Sequence, residues 1–340
     1  MLYKLVRYFL FKLDAEKAHH LALSAMNKVY LSGLSRLLYP AKVKDSYELM
    51  GLKFENRVGL AAGLDKNAKY IDALSSVGFG FIEVGTVTPK SQPGNDKPRL
   101  FRVVPAQGII NRMGFNNDGV ENLISHVKQS RYQGVLGINI GKNIFTPVEK
   151  AVDDYIICFQ KVYEFADYIT INISSPNTPG LRKLQHGEAL LELLTALKLE
   201  QEKLHKQVNK YVPLAVKIAP DLSDEEIDEL ALAFIKTDID AVIATNTTSS
   251  RQGVENLENA AEQGGLSGAP VYEASTVVVK KFAKLLDKKI PIIAVGGITK
   301  PQDAVEKINA GASLVQIYSG FIYQGPKLIA QSARAIAEMK

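Results

Sequence analysis

The sequence predicts an α/β protein, a (β/α)8 TIM barrel carrying an N-terminal amphipathic helical extension. Three observations predict it. Eight short apolar, β-branched runs alternate with eight longer helical patterns from about Arg57 onward. The last six runs end in polar residues or glycine pairs. The first 44 residues break this rhythm and hold all the excess positive charge. Alternation of this kind is the mark of βαβ units in a parallel sheet, and eight units close a barrel.

The strand runs are 58–62, 81–85, 135–140, 168–173, 214–218, 241–245, 292–295 and 314–318. The helical patterns are 69–77, 120–128, 152–165, 188–205, 224–236, 272–286, 301–309 and 326–337. A doubly wound open sheet is the alternative, but no G-x-G-x-x-G follows the first run, which weighs against a dinucleotide fold. The stretches after strands two, four and six exceed a plain βα loop. In a barrel they lie at the C-terminal face, where active sites are built.

The size suits one domain plus an appendage, with the division expected at residues 1–44 and 45–340. A single cysteine, Cys158, excludes an internal disulfide framework and a multi-cysteine metal site. Five scattered histidines give no zinc pattern, so no metal is expected. Net charge is +5. Residues 1–44 hold eight Lys or Arg against Asp14 and Glu16, a net of +6, and the remainder is nearly neutral at −1. Such asymmetry points to an anionic surface. Nucleic acid is disfavoured because the same segment is rich in Leu, Tyr and Phe.

Leu2, Leu5, Val6, Phe9, Leu10 and Leu13 recur at amphipathic helical spacing, decorated by Lys4, Arg7 and Lys12. A second run passes through Leu23, Met26, Tyr30, Leu34 and Leu37 and closes at Pro40. Neither approaches the ~20 apolar residues that span a bilayer, and no secretory cleavage pattern is present. A helical hairpin packed on the barrel with solvated basic residues fits these facts. So does a helix pair lying among anionic headgroups, and the charge partition favours it.

Strand three ends in Asn139, strand four in Asn172, strand five in Lys217, and strand six in Thr245 and Asn246. One polar strand end is ordinarily a cap or turn residue. Five on one rim point to a shared polar pocket. Gly296 and Gly297 after strand seven, and Ser319 and Gly320 after strand eight, mark the usual barrel phosphate site. Glycines 264, 265 and 268, in the loop after strand six, could add donors. A phosphate beside a lysine suits a flavin mononucleotide, with Lys217 placing positive charge near the reduced ring. Lys217 is also compatible with a Schiff-base aldolase, and the residue alone does not separate the two.

Several motifs in order, GLAAGLDKN at 59–67, EVGTVTP at 83–89, NRMGFNN at 111–117, NISSPNTPG at 172–180 and ATNTT at 244–248, resemble the dihydroorotate dehydrogenases. The likeness runs along the whole chain and is nearest to the quinone-linked class 2 enzymes of bacterial type. It implies (S)-dihydroorotate oxidation to orotate with hydride transfer to FMN, then electron transfer to a membrane quinone, in de novo pyrimidine (UMP) biosynthesis. Carried over by residue, it implies that Ala62, Gly63, Thr86, Asn139, Asn172, Lys217 and Thr245 contact the flavin. Gly268, Gly297, Tyr318 and Ser319 would hold its phosphate. Lys66 would meet the substrate carboxylate. Asn111, Asn172, Asn177 and Asn246 would bond the pyrimidine edges, with Arg112, Met113, Gly114, Phe115 and Thr247 completing the pocket.

The resemblance assigns Ser175 as catalytic base where class 1 relatives carry Cys, so fumarate- or NAD-linked chemistry is not expected. Ser175 would take a proton from C5 while C6 delivers hydride to the flavin, and Thr178 or a water would relay that proton. The N-terminal helices would form the quinone entrance, with His19 or His20 near the path. Met1 begins directly on the amphipathic helix. The expectation is therefore a bacterial-type protein peripheral to the inner cell membrane on its cytoplasmic side, and the resemblance implies a monomer.

Overall fold

A computed structural model describes residues 2–339. Eight parallel strands close into a barrel in chain order: β1 (Val58–Leu60), β2 (Phe81–Val87), β3 (Val135–Ile140), β4 (Tyr168–Asn172), β5 (Leu214–Ile218), β6 (Ala241–Ala244), β7 (Ile292–Val295) and β8 (Leu314–Ile317). Strand β8 pairs back onto β1 through Val315 and Val58. Every residue of these strands is buried, which explains why they read as near-continuous apolar runs rather than alternating ones.

The helices between them follow the predicted pattern with shifted ends, such as Ala151–Val162 and Gly187–Val208. The first is the most shortened in proportion to its length, expected over 69–77 and found as Ile71–Ser75. Ala68 is left-handed at φ +59°, and the Asp65 carboxylate accepts the amides of Lys69 and Tyr70. Those amides are spent on a turn, so the helix starts later.

A hairpin of Tyr47–Leu49 and Leu52–Phe54 closes the N-terminal end of the barrel. Phe54 meets Phe81 edge-on, with ring centroids 5.1 Å apart, and Phe81 meets Tyr168 at 6.4 Å. These rings fill the interior because Gly59 and Gly137 leave room for them. A Cβ at Gly59 would lie 2.3 Å from the Phe81 ring, and one at Gly137 2.2 Å from the Tyr168 ring. Large residues on one strand are matched to glycine on its neighbour.

The long stretches after β2 and β6 are not plain loops. Leu100–Val103, Gly108–Asn111 and Gly265–Gly268 form a three-stranded antiparallel sheet. The glycine-rich segment expected as a loop is thus partly a strand. Its pairing partner, Gly108–Asn111, lies far earlier in the chain, beyond the reach of local pattern.

The N-terminal segment forms α1 (Leu2–Leu10) and α2 (Ala15–Leu31), with Asp14 capping α2 by accepting the Lys17 amide. The second run breaks at Gly33, φ +76°, and resumes as a turn of helix at Ser35–Leu38. Helix α1 docks on the Ser319–Gln324 helix. Tyr3 donates to Ile322 O at 2.6 Å and Arg7 to Tyr323 O at 2.5 Å. Arg102 closes the end of α1 by donating to Leu13 O at 2.9 Å while lying over the Phe11 ring. Arg7 therefore works inside the docked interface rather than toward a headgroup layer. Of nineteen exposed large hydrophobic side chains among the described residues, ten fall between Leu5 and Leu38. That concentration marks a surface built to meet something apolar.

Candidate active site

The C-terminal ends of the barrel strands open into one cavity. Its wall contains Ala62, Gly63, Lys66, Thr86, Asn111, Met113, Gly114, Phe115, Asn172, Ser175, Asn177, Lys217, Thr245, Asn246, Thr247, Gly268, Gly297, Tyr318 and Ser319. Parallel strands bring their ends to one rim, so residues scattered over 250 positions converge. The antiparallel sheet supplies Asn111 from one strand and Gly268 from another.

Two expected residues stand elsewhere. Asn139 lies one layer below the wall, accepting from Thr86 Oγ1 at 2.6 Å and from Asn172 Nδ2 at 3.3 Å. Arg112 turns away from the cavity. Its guanidinium pairs with Glu262 at 2.7 Å, donates to Pro98 O at 2.9 Å and covers the Phe101 ring. The expected substrate contact is therefore not a contact of the Arg112 side chain, whose fork is already filled by outer-loop acceptors.

The asparagines hold one another. Asn172 donates to Thr86 Oγ1 at 3.0 Å, and its own Oδ1 accepts from Ser174 Oγ at 3.2 Å and from Asn246 Nδ2 at 3.4 Å. Asn246 also donates to Ser174 Oγ at 3.0 Å, and its carbonyl accepts the Thr247 amide at 2.8 Å. Asn177 donates to Asn111 O at 3.0 Å and to Asn111 Oδ1 at 3.3 Å. Amides fixed in this way present their remaining donors and acceptors in set directions.

The paired serines separate by their bonds. Ser174 is fully buried and tied to Asn172 and Asn246, away from the cavity wall. Ser175 is on the wall, and among the described residues its Oγ accepts only the Asn177 amide, at 3.2 Å. Its hydroxyl proton is therefore uncommitted to a protein acceptor. Thr178, buried nearby, makes no side-chain hydrogen bond to Ser175 among the described residues.

Lys217 is 5% exposed and has no hydrogen-bond or carboxylate partner among the described residues. Burial lowers its pKa, and the Glu83 charge opposes the shift. A buried ammonium aimed into a cavity without a protein acceptor calls for a ligand that supplies one. Lys66, half-buried on the wall, is lowered to about 8 by burial and then by the Arg99 charge. Tyr318 is raised to about 12 by burial, so it presents a neutral hydroxyl, donated to Gly63 O at 3.4 Å.

Beneath the cavity floor Glu83 is fully buried. It accepts from Asn139 Nδ2 at 2.8 Å, Tyr168 OH at 2.9 Å and Gln316 Nε2 at 2.7 Å. Neither Glu83 nor Gln316 was expected as part of the site. The available signal was a carboxylate inside the apolar run 81–85 and an amide inside 314–318, since a buried charge is tolerated only when bonded. Val271, Val295 and Ile298 complete an apolar side of the wall that periodicity alone assigns to the core.

The residues present fit a flavin mononucleotide. Lys217 is the orphaned cation, Gln316 Oε1 is a buried acceptor with no partner, and glycine-rich turns after β7 and β8 adjoin Ser267 and Ser319, whose hydroxyls share a bond of 2.8 Å. Backbone amides of the glycine-rich turns suit a phosphate, and the orphaned Lys217 ammonium and Gln316 carbonyl suit the polar edge of a ring system.

Comparison with known proteins agrees with this geometry. Residues 46–339 match the family model for dihydroorotate dehydrogenase. A protein from Pseudomonas fluorescens named dihydroorotate dehydrogenase (quinone) is 60% identical over 338 residues, covering 99% of this chain and all of that one. A protein of the same name from Aeromonas hydrophila is 59% identical, covering 97% and 98%. The ligand-free crystal structure of DHODH from Eimeria tenella superposes with a TM-score of 0.86 at 41% identity, covering 96% of this chain and 93% of that one. With a matching model over most of its length and near-full-length relatives, the chain belongs to the dihydroorotate dehydrogenase family.

Proposed function

We propose that this chain oxidises (S)-dihydroorotate to orotate with FMN and passes the electrons to a membrane quinone, a step of pyrimidine biosynthesis. The observation that carries the reading is the cavity itself: Ser175 with an uncommitted hydroxyl stands among Asn111, Asn172, Asn177 and Asn246, and the unpartnered cation Lys217 lines the same wall. A dihydropyrimidine presents alternating N–H and C=O groups, which side-chain amides complement on both counts. Lys66 supplies a counter-charge for its carboxylate.

The flavin-holding residues are Ala62, Gly63, Thr86, Lys217 and Thr245 at the ring end, with Gly268, Gly297, Tyr318 and Ser319 at the phosphate end. Asn139 acts from below by orienting Thr86 and Asn172. When bound, FMN supplies the hydride acceptor and the route to a second oxidant. The protein's part is to hold the ring in register and move the proton. Ser175 takes the C5 proton of dihydroorotate and needs an acceptor beyond itself, because a serine hydroxyl is a poor base at neutral pH. Thr178, buried in the same loop, or a water carries that proton onward.

The division at residue 44 separates a quinone-access segment from the flavin barrel. The helices of residues 1–44 offer exposed Leu5, Val6, Phe9, Leu31 and Leu37, and no helix among the described residues is long and apolar enough to cross a membrane. With the basic charge of the same segment, these exposed side chains support peripheral attachment to an anionic bilayer, and the proposal places a monomer on the cytoplasmic side of the inner membrane. Helix α1 rests on the helix that begins at Ser319, itself a residue of the cavity wall, and this contact supports a quinone path from the N-terminal segment to the cavity.

The test is the purified protein mixed with dihydroorotate without oxygen. A bound flavin whose visible band bleaches supports the reading. A protein that binds no flavin returns Lys217 to Schiff-base chemistry.

A further inference from the structure

Glu16 lies on α2, in the segment just assigned to quinone access, yet it is 5% exposed and faces the barrel. It forms a two-pronged ion pair with Arg99, from Nη2 at 2.8 Å and Nε at 3.2 Å. Lys97 stands 3.4 Å from the same carboxylate, and His20 3.9 Å. Arg99 is itself 6% exposed, and its other terminal nitrogen donates to Pro93 O at 2.6 Å and Asn95 O at 2.8 Å. Asn95 then donates its side-chain amide to Arg112 O at 2.9 Å and its backbone amide to Met113 O at 3.2 Å. The chain of bonds ends on the strand and turn that place Asn111, Met113, Gly114 and Phe115 in the cavity wall.

We propose that the buried Glu16–Arg99 pair makes helix α2 a working part of the dihydroorotate site, by holding loop 93–99 against the substrate turn and setting the charge around Lys66. The proposal rests on the functional reading above. Glu16 and Arg99 are positioning residues, since neither lines the cavity. A bidentate fork is the geometry that fixes a loop rather than merely neutralising it. Coupling follows: whatever displaces α2 also loosens the pyrimidine and carboxylate contacts.

The electrostatic half of the coupling has a defined sign. The charges of Arg99, of Glu16 on α2 and of its own neighbour Asp65 act on Lys66, and Lys66 in turn acts on His19 of α2. Burial and Arg99 lower its pKa to about 8, while Glu16 and Asp65 raise it. Carboxylate binding that depends on charged Lys66 is present below that value and lost above it. Removing Glu16's charge shifts the loss to lower pH, and removing Arg99's shifts it to higher pH.

Orotate affinity of the FMN-loaded protein, read from perturbation of the flavin band across pH 6–10, tests this. Glu16→Gln should weaken orotate about fivefold at neutral pH and move the alkaline break down, by on the order of one pH unit. Glu16→Asp should restore part of the affinity, and Arg99→Gln should move the break up. FMN content should stay unchanged in all three. Asn95→Ala, which cuts only the side-chain bond to Arg112 O, should weaken orotate without moving the break. Unchanged affinity in Glu16→Gln and Asn95→Ala, or breaks that move the same way in Glu16→Gln and Arg99→Gln, would overturn the proposal. Should the buried-pair variants fail to fold, Asn95→Ala decides alone, unchanged affinity overturning it. No response to orotate in the unaltered protein would overturn the functional reading instead.

Discussion

Asn139 donates its side-chain amide to the Glu83 carboxylate at 2.8 Å in the dry centre of the barrel, one layer below the cavity wall. Glu83 is anchored from the other side by Tyr168 and Gln316, and Asn139 in turn orients Thr86 and Asn172. The Thr86 and Asn172 side chains of the site thus rest on a buried carboxylate that does not itself line the cavity. Glu83→Ala strands three donors and opens a void. It should lower stability by about 3–5 kcal/mol in urea unfolding, with Glu83→Gln costing much less. Equal losses for the two variants would show that charge and bonding there do not matter.

The two serines should respond differently. Ser175→Ala keeps the network of Asn172, Ser174 and Asn246 intact, so FMN stays bound while its reduction by dihydroorotate slows about 10²–10⁴-fold. Ser174→Ala removes the acceptor for Asn246 and the donor to Asn172. Its effect should fall chiefly on substrate affinity. Single-turnover reduction at varied dihydroorotate separates rate from affinity for both.

The exposed face of α1 predicts a separation of functions. Leu5 and Phe9, 57% and 58% exposed, lie one turn apart on the outer surface, away from the bonds of Tyr3 and Arg7 to the barrel. Leu5→Ser with Phe9→Ser should reduce flotation with anionic vesicles several-fold and leave flavin reduction by dihydroorotate unchanged. Retained flotation would move the membrane contact elsewhere.

Lys307 gives a pH prediction independent of the site. Fully buried between two helices, it donates to Tyr272 O at 3.2 Å and Thr276 Oγ1 at 2.7 Å, and burial lowers its pKa to about 7 against the pull of Asp303 and Glu306. The unfolded chain holds that proton up to about pH 10.4. Between about 7 and 10.4 the unfolded state therefore binds more protons, and this group's contribution to stability rises with pH, by at most about 1.4 kcal/mol per unit. Lys307→Met should flatten that rise, checked by urea midpoints across the window.

The barrel was legible because its strands are buried on both faces and its helices keep their period. The rim residues were legible because Asn and Lys stand out at the ends of apolar runs. What escaped was non-local. The pairing of Gly265–Gly268 with Gly108–Asn111 leaves no periodic trace, and it converts a glycine-rich loop into a strand. Arg112 sits inside a recognised motif, but its destination depends on Glu262, which lies far along the chain. Glu83 and Gln316 were visible as polar intruders in apolar runs, although only the closed barrel shows them meeting. Helix α2 shows the same limit. Its periodicity marks an apolar face, and nothing local shows that Glu16 turns inward to Arg99.

The central claim, two half-reactions joined through one flavin, is tested most directly by anaerobic double-mixing stopped flow. The protein is first mixed with dihydroorotate and then with a soluble quinone, fumarate or NAD. The account predicts rapid bleaching of the flavin band and recovery with quinone alone. Bleaching that recovers with fumarate or NAD, or a flavin that dihydroorotate leaves oxidised, would contradict it.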